Sequence, residues 1–342
     1  MDSSILSAVV SVGGLGLILG GVLAYASKKF YVKVDPRVEE VLEILPGANC
    51  GACGKPGCSG FALAVVRGEL EASACVPGGK EVAEKIGAIL GVEVEAAEEM
   101  VAVTRCQGSP DHCQDRFEYQ GVPSCTAATL IGSGHKSCQY GCLGFGDCVE
   151  ACPFDAMYMG KDRLPHVIDE RCTGCAKCVE ACPRDIMAMI PRSAIIYIAC
   201  VNPNRGKEVK AVCDIGCTGC TLCANKKNTP SGMITMNTET NLPEFDYSIE
   251  DDPIVAVHKC PTDSLFDKLR GQRPTFFISD TKCTGSGECA KVCPVKKCIE
   301  QLESGKYYIH AEKCIGCGLC EPVCPEKAIS VMGALGHQRM AV

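Results

Sequence analysis

Cysteine is the residue type with the clearest chemistry in this chain, and it accounts for 29 of the 342 residues. Most of these cysteines occur in short runs that end in Cys-Pro, such as Cys172, Cys175, Cys178 and Cys182-Pro183. Three cysteines at three-residue spacing place three thiolates around one iron-sulfur cubane, and the cysteine before proline ligates a neighbouring cluster. The spacing therefore predicts [4Fe-4S] clusters and a chain that carries electrons.

Two other uses of clustered cysteines fit the sequence less well. Disulfide frameworks are typical of short secreted domains, whereas this chain is long, shows no cleavable secretion signal and places its cysteines too close together to pair locally. Structural zinc prefers two separated CxxC pairs or added histidines, and none of the six histidines stands at ligand spacing from a cysteine pair. Iron-sulfur binding is therefore the favoured interpretation.

The spacing predicts five complete ligand sets, each for one [4Fe-4S] cluster. They are Cys50, Cys53, Cys58 and Cys75; Cys138, Cys142, Cys148 and Cys182; Cys152, Cys172, Cys175 and Cys178; Cys217, Cys220, Cys223 and Cys260; and Cys293, Cys314, Cys317 and Cys320.

The second of these sets is irregular. When the runs that end at Cys152 and Cys182 are aligned on their Cys-Pro ends, Phe145 stands at the middle ligand position of the earlier run. We expect Cys138, which precedes that run by one short turn, to replace it. The cysteines before proline then cross between two clusters, as in bacterial two-cluster ferredoxins.

A sixth site contains only three cysteines of the regular pattern, Cys283, Cys289 and Cys324, because Ser286 stands where the middle cysteine should be. Three outcomes are open. The favoured one is that Cys298 becomes the fourth ligand of a sixth [4Fe-4S] cluster; otherwise the site holds a three-iron cluster or is empty.

Five further cysteines are expected to be buried thiols that pack as small apolar groups. They are Cys106, Cys113, Cys125, Cys200 and Cys213. Cys106 and Cys200 each end an apolar, strand-like run upstream of a cluster motif, which suggests a duplicated structural role. Cys213 repeats the position of Cys138 relative to the run that follows it.

The segment Ile5–Ala26 contains no Asp, Glu, Lys, Arg or His, and 22 residues at 1.5 Å rise are enough for the roughly 30 Å hydrocarbon layer of a membrane. Gly16 and Gly20 form a GxxxG step, which allows another helix to approach closely. Lys28 and Lys29 follow the segment, so the positive-inside rule predicts a single-pass protein of the cell membrane with residues 28–342 on the cytoplasmic side.

These patterns predict an α+β chain with one N-terminal transmembrane helix, a small four-cysteine iron-sulfur domain and tandem ferredoxin-like domains of the bacterial 2[4Fe-4S] type. The predicted boundaries are 1–28 for the membrane anchor, 33–95 for the four-cysteine domain, 100–190 for a two-cluster domain, 191–270 for a degenerate one-cluster domain and 271–342 for the C-terminal domain.

Other functional classes lack support in the sequence. A net charge of −7 argues against nucleic acid as a partner. The glycines of the membrane segment follow no strand and precede no acidic ribose-binding residue, so they do not form a dinucleotide site. No nicotinamide or flavin motif is visible, and no residue is assigned a catalytic role.

The anchor, the segment DPRVEEVLEILPGANCGACGKPGCSGFA and the later CVPGG resemble the B subunit of the Rnf electron-transport complex. The segments CQYGCLGFGDCVEACPFDA and CTGCAKCVEACP add to the resemblance, which covers essentially the whole chain. Shorter members of that family end after one ferredoxin domain, so the ligands from Cys217 onward transfer less directly, and Ser286 departs from the ligand pattern.

The resemblance implies a subunit of an ion-translocating ferredoxin:NAD oxidoreductase. Such a chain would receive electrons from reduced ferredoxin and pass them through its clusters to membrane and flavin-bearing subunits, while the complex reduces NAD and exports sodium ions or protons. Two alternatives are a polyferredoxin subunit of another membrane oxidoreductase, such as a hydrogenase or formate complex, and an electron-storage protein outside any complex. The anchor joined to the four-cysteine domain argues against the first, and the glycine-rich helix argues against the second.

Overall fold

A computed structural model of the chain describes residues 3–30, 35–94 and 98–332. The chain forms two compact units, Met1–Ala96 and Ala97–Val342. The first two residues of the expected anchor, the extreme ends of the expected four-cysteine domain and residues 333–342 of the expected C-terminal domain lie outside the described residues.

The first helix, α1 (Ser3–Lys29), has 27 residues. It includes a 19-residue stretch, Ser11–Lys29, that is apolar enough to cross a membrane and is not buried by the rest of the described chain. At 1.5 Å rise per residue the helix extends over about 40 Å, more than the hydrocarbon thickness of a bilayer. By length and composition, α1 meets the requirement for a membrane-spanning helix.

Three further helices build the rest of the first unit. They are α2 (Pro36–Ile44), α3 (Gly57–Val66) and α4 (Gly79–Leu90), with 3₁₀ turns at Ala72–Ala74 and Val76–Gly78. Asp35 starts α2, because its carboxylate accepts the Arg37 N–H at 3.0 Å and Pro36 is suited to the first helical turn. Val41, Phe61 and Ile86 form the centre of a small apolar core among these helices.

The second unit is built from short antiparallel strand pairs. The pairs are β1 (Met100–Thr104) with β4 (Met187–Pro191), β2 (Met157–Met159) with β3 (Pro165–Val167), β5 (Ile196–Ile198) with β8 (Leu265–Asp267), β6 (Ile234–Met236) with β7 (Pro243–Phe245), β9 (Thr275–Ile278) with β12 (Ile329–Met332), and β10 (Ile299–Gln301) with β11 (Tyr307–Ile309). An outer pair that encloses an inner hairpin therefore occurs three times. We call these units repeat A (β1–β4), repeat B (β5–β8) and repeat C (β9–β12).

Short helices lie in the loops that join these strands. They are α5 (Cys125–Thr129), α6 (Asp147–Glu150), α7 (Lys177–Glu180), α8 (Gly206–Lys210), α9 (Ile254–Lys259) and α10 (Glu288–Val292), with a 3₁₀ turn at Ala311–Lys313. The apolar core is split into separate groups, one around Val101 and Ile190 and another around Phe276 and Ile329. Strands of three to five residues cannot enclose one large core, so other interactions must hold the repeats.

Arg273 forms the most buried ion-pair network among the described residues, where repeat B meets repeat C. Its side chain is 10% exposed, and its guanidinium donates to Asp267 at 2.6 Å and to both oxygens of Asp252. Asp267, the last residue of β8, is itself only 5% exposed. Burial alone would lower the pKa of Arg273, but the hydrogen bonds that it donates to Asp252 and Asp267 raise it.

We expect Arg273→Met to destabilise the second unit by about 3 kcal/mol, because it leaves the buried Asp267 carboxylate without its partner. The thermal midpoint of the full-length protein, followed by far-UV circular dichroism under anaerobic conditions, should fall by roughly 6–12 °C.

Arg270→Met is the matched control for this change. Arg270 is 72% exposed and lies 4.0 Å from Asp263, so its loss should cost less than about 1 kcal/mol. Equal effects of the two variants would contradict the role assigned to Arg273.

Candidate metal centres

Six groups of cysteine side chains are brought together in the fold. We call them site I (Cys50, Cys53, Cys58, Cys75), site II (Cys125, Cys142, Cys148, Cys182), site III (Cys152, Cys172, Cys175, Cys178), site IV (Cys217, Cys220, Cys223, Cys260), site V (Cys293, Cys314, Cys317, Cys320) and site VI (Cys283, Cys289, Cys324). Among the residues that the structure describes, no cysteine forms a disulfide.

The spacing of these thiols fits clusters better than single ions. Among the described residues, no three His, Cys, Asp or Glu side chains stand close enough together to hold one metal ion. A zinc ion would draw four sulfurs to about 2.3 Å from its centre. A four-iron cubane holds its thiolates further apart, and sites II, IV, V and VI border open spaces of about 350, 340, 320 and 300 Å³, solvent at their mouths included.

Site I lies in the loops between α2, α3 and α4. Asn49 shapes this loop, because its Oδ1 accepts the Cys58 N–H at 2.8 Å at the start of α3. A Cβ on Gly57 would lie 2.7 Å from that oxygen, and Gly57 has a φ of +82°, so only glycine fits there. Burial raises the pKa of the Cys75 thiol, a backbone hydrogen bond from Gly78 opposes the rise, and repulsion from the other cysteines of the site adds to it.

Site II differs from the sequence prediction, because Cys125 and not Cys138 lines the cavity with Cys142, Cys148 and Cys182. The aromatic ring of Phe145, which stands at the position of the missing ligand, packs 5.3 Å from the rings of Tyr119 and His135, measured between centroids.

Asp147 explains how Cys125 reaches site II. The Asp147 carboxylate accepts the Ser124 hydroxyl at 2.9 Å and the backbone N–H groups of Cys125 and Thr126 at 2.8 and 3.1 Å. Burial would raise the pKa of Asp147, but these hydrogen bonds outweigh it and lower the pKa. Because Asp147 directly precedes Cys148, it fixes the start of α5 beside the other ligands.

Site III brings together the four cysteines that the spacing predicts as ligands of one cluster. Burial raises the pKa of Cys178 to about 12, and repulsion from Cys172, Cys175 and Cys152 contributes to the rise. Such mutual repulsion is expected where four thiolates are held around one centre that is to receive a cation.

Backbone N–H groups point at cysteine sulfurs in repeats A and C. Ile186 donates to Cys182 at 3.4 Å, and Ala328 donates to Cys324 at 3.3 Å, which is the same spacing along the chain in both repeats. Ala102 of β1 donates to Cys172 at 3.4 Å. Hydrogen bonds to cluster sulfurs are a main determinant of cluster potentials, so these contacts suit iron-sulfur sites.

Site IV likewise brings together the four cysteines that were expected to bind one cluster. Cys260 follows α9 and lines the same cavity as Cys217, Cys220 and Cys223. Burial raises the pKa of Cys223 to about 11, with repulsion from Cys220 and Cys260.

Cys298 does not complete the site that contains Ser286. The thiol is 2% exposed and lines the cavity of site V, with Cys293 and Cys314. The inner hairpin fixes this position: Cys298 precedes β10, its carbonyl accepts the His310 N–H at 2.8 Å, and its Sγ donates to the His310 carbonyl at 3.8 Å. The sequence favoured Cys298 as the fourth ligand of the site that contains Ser286. The structure instead places Cys298 at site V.

Site VI consequently has three cysteines and the exposed Ser286 on its wall. Burial raises the pKa of Cys289, a backbone hydrogen bond from Ala290 opposes the rise, and repulsion from Cys324 and Cys283 adds to it. Three thiolates around one cavity suit a three-iron cluster.

The remaining cysteines, which include Cys138, line another cavity. Its cysteines are Cys106, Cys113, Cys138, Cys200 and Cys213, and we call it the five-cysteine cavity. The sequence alone predicts simple packing roles for all of these except Cys138. The signal that could have revealed the cavity was the repeated placement of Cys213 and Cys138.

Comparisons with known proteins agree with iron-sulfur binding. Family models match at residues 45–77 for an Fe-S cluster domain, at residues 137–187 for a 4Fe-4S dicluster domain and at residues 307–330 for a 4Fe-4S binding domain. The matched segments contain cysteines of sites I, II, III, V and VI.

Three curated relatives extend the similarity to most of the chain. The B subunit of the ion-translocating oxidoreductase complex of Methanosarcina acetivorans is 38% identical over 86% of this chain and 98% of its own length. The B subunit of the sodium-translocating ferredoxin:NAD oxidoreductase complex of Acetobacterium woodii is 39% identical over 81% and 82%. The proton-translocating counterpart from Clostridium ljungdahlii is 40% identical over 73% and 88%.

We expect Cys125→Ala to remove the cluster of site II, with a loss of about four irons and four sulfides per chain. Iron and acid-labile sulfide would be measured on anaerobically purified full-length protein. Cys298→Ala is the matched control, because Cys298 is an extra thiol beside four regular ligands, and its iron content should equal that of the unmodified chain. Full iron in Cys125→Ala, or the loss of a cluster in Cys298→Ala, would show that the ligands are assigned incorrectly.

Ser286→Cys should supply the missing thiolate of site VI. The iron content should rise by about one per chain as a three-iron cluster becomes a four-iron cluster. The electron paramagnetic resonance signal of an oxidised three-iron cluster should disappear at the same time. Ser286→Ala serves as the control and should leave both readings unchanged; the absence of a three-iron signal from the unmodified protein would contradict this assignment.

Proposed function

Because the chain belongs to the family formed by the B subunits of ion-translocating oxidoreductase complexes, we propose that it is the iron-sulfur electron-transfer component of such a membrane complex. It takes electrons from reduced ferredoxin and relays them to flavin-bearing and membrane subunits. The complex reduces NAD and exports sodium ions or protons. The observation that carries this proposal is the gathering of cysteines into several separate cluster-sized sites in one chain.

We also propose a separate role for each segment of the chain. Residues 1–28 anchor it, residues 33–95 hold site I, and the segments 100–190, 191–270 and 271–342 are tandem ferredoxin-like domains. The threefold occurrence of an outer strand pair around an inner hairpin supports this division. Sites II and III belong to the first of these domains, site IV to the second and sites V and VI to the third.

A [4Fe-4S] cluster supplies one-electron chemistry when it is bound, since it accepts and releases single electrons. The surrounding residues of the chain set the reduction potential of each cluster. The N–H groups of Ala102, Ile186 and Ala328 donate to ligand sulfurs and so favour the more negative, reduced state. Burial of the thiolates opposes extra negative charge, and the balance of the two effects sets the potential at each site.

Nucleotide chemistry is assigned to other subunits, because the sequence has no glycine-rich nicotinamide or flavin motif. The apolar α1 carries no charged residue within its apolar run, so we also assign ion movement to other subunits. Lys28 and Lys29 at the end of α1 support a cytoplasmic position for the cluster domains, where reduced ferredoxin is found.

The first test is the metal content and reducibility of the full-length protein, purified anaerobically in mild detergent. We expect at least about 20 irons with matching sulfide from five four-iron clusters. Reduced ferredoxin should bleach the visible absorbance of these clusters, and oxidised ferredoxin should not. Zinc in place of iron would overturn the proposal, and so would iron-loaded protein that reduced ferredoxin does not reduce.

A pull-down from membranes should bring down flavin-bearing subunits; their absence would favour the storage alternative.

A further inference from the structure

The five-cysteine cavity lies between repeats A and B. Its walls come from the segments after β1 and β5 and from the loops before Cys142 and Cys217, and the open space that they border, including solvent at its mouth, is about 390 Å³. This is at least as large as the cavities of sites II, IV, V and VI, which hold about 300–350 Å³. The cavity therefore has the size of a cluster site.

The two repeats contribute to the cavity in the same way. Cys106 follows β1 and Cys200 follows β5 at the same distance along the chain, while Cys138 and Cys213 each stand four residues before the first ligand of the next run. The duplicated cysteines thus face one another from two repeats, and Cys113 adds a fifth thiol.

Three of these side chains converge on Gly108. A Cβ on Gly108 would lie 3.3 Å from the Cys113 Cβ, 3.5 Å from the Cys106 Sγ and 3.8 Å from the Cys213 Sγ. Cys113, Cys138 and Cys213 also belong to one buried group. A side chain at residue 108 would enter the space between the thiols, and this explains why residue 108 is glycine.

Simple packing does not account for this arrangement. Protein interiors are close-packed, and cysteines that act as small apolar groups would fill the space between them. Here the thiols surround a cavity instead. Their sulfurs also accept polar contacts: Cys106 accepts from the N–H groups of Gly108 and Cys142 at 3.4 and 3.5 Å, and Cys138 accepts from the Asn202 side-chain amide at 3.6 Å.

A buried cation lies beside the cavity. Lys136 is 1% exposed, and its Nζ donates to the carbonyl of Gly108. Within the described part of the chain, no carboxylate forms an ion pair with this ammonium. A buried ammonium without a counter-charge is costly, and a thiolate-ligated cluster is anionic. The lysine and a cluster would therefore stabilise one another.

We infer that Cys106, Cys113, Cys138 and Cys213 bind a further [4Fe-4S] cluster in this cavity. Cys106, Cys113 and Cys213 converge on Gly108, and Cys138 packs in one buried group with Cys113 and Cys213. Cys200 is not assigned as a ligand, because it packs in the separate buried group that contains Cys217.

The five-cysteine cavity lies next to both site II and site IV. The N–H of Cys142 in site II donates to Cys106, and Cys217 in site IV packs in one buried group with Cys200. A cluster here connects the electron path of repeat A with that of repeat B. This connecting role rests on the proposed function, whereas the metal content of the cavity can be tested without it.

The test compares the double variant Cys113→Ala/Cys213→Ala with the single variant Cys200→Ala in full-length, anaerobically purified protein. Iron, acid-labile sulfide and zinc would be measured per chain, with thiols counted by mass spectrometry after alkylation under denaturing conditions. We expect the double variant to lose about four irons and four sulfides relative to the unmodified protein, and Cys200→Ala to lose none.

Unchanged iron in the double variant would overturn the inference, and so would the loss of zinc instead of iron or a Cys113–Cys213 disulfide in the unmodified protein. Iron loss in Cys200→Ala would overturn the ligand set. An unmodified chain without any iron or sulfide would instead refute the proposed function, so the two failures are distinguishable.

A second variant keeps every cysteine in case the double variant does not fold. Lys136→Met removes the buried positive charge, so the iron content should stay constant while one cluster becomes harder to reduce. A redox titration followed by electron paramagnetic resonance would detect the more negative potential. Unchanged potentials for all clusters would overturn the inference.

Discussion

The burial of thiolates is the constraint on which the rest of this structure depends. Burial raises the pKa values of Cys148 and Cys178 to about 12, and neighbouring cysteines add repulsion. At neutral pH such groups remain protonated unless a cation replaces the protons. Iron binding therefore supplies the free energy that allows the cysteines to lie together, and in a site formed only in the folded chain this is also folding free energy.

The helices and strands of the second unit are short because iron binding supplies much of the folding free energy. Helices α6 and α7 have four residues each, and the strands have three to five. The apolar group around Phe276 and Ile329 covers repeat C, whereas the group around Val101 and Ile190 extends to Tyr197 of repeat B. The Arg273 network adds a fixed contact where repeat B meets repeat C. The chain thus resembles several small metal-supported units joined by specific contacts.

The comparison of sequence and structure shows which ligands spacing can predict. Runs such as Cys172 to Cys178 come together by local chain geometry, so their spacing is enough to predict that they are grouped. Cys125 was missed because it reaches site II through the hydrogen bonds of Asp147, a tertiary contact that no spacing encodes. Cys298 is close to Ser286 in sequence, which favours it as the missing ligand, but the pairing of β10 with β11 holds it at site V.

The pairing of outer strands also determines when each site is complete during synthesis. β1 pairs with β4 across the whole of repeat A, so Met100 meets Pro191 only after both have left the ribosome. Site I has all its ligands within the first unit and can be loaded early, since domains generally fold from the N-terminus during translation. Site II must wait for Cys182. The five-cysteine cavity must wait longer, for Cys213 of the next repeat. Until then its cysteines are open to oxidation or to the wrong metal, so cofactor delivery has to keep pace with translation, and the order of the repeats along the chain sets the order of maturation.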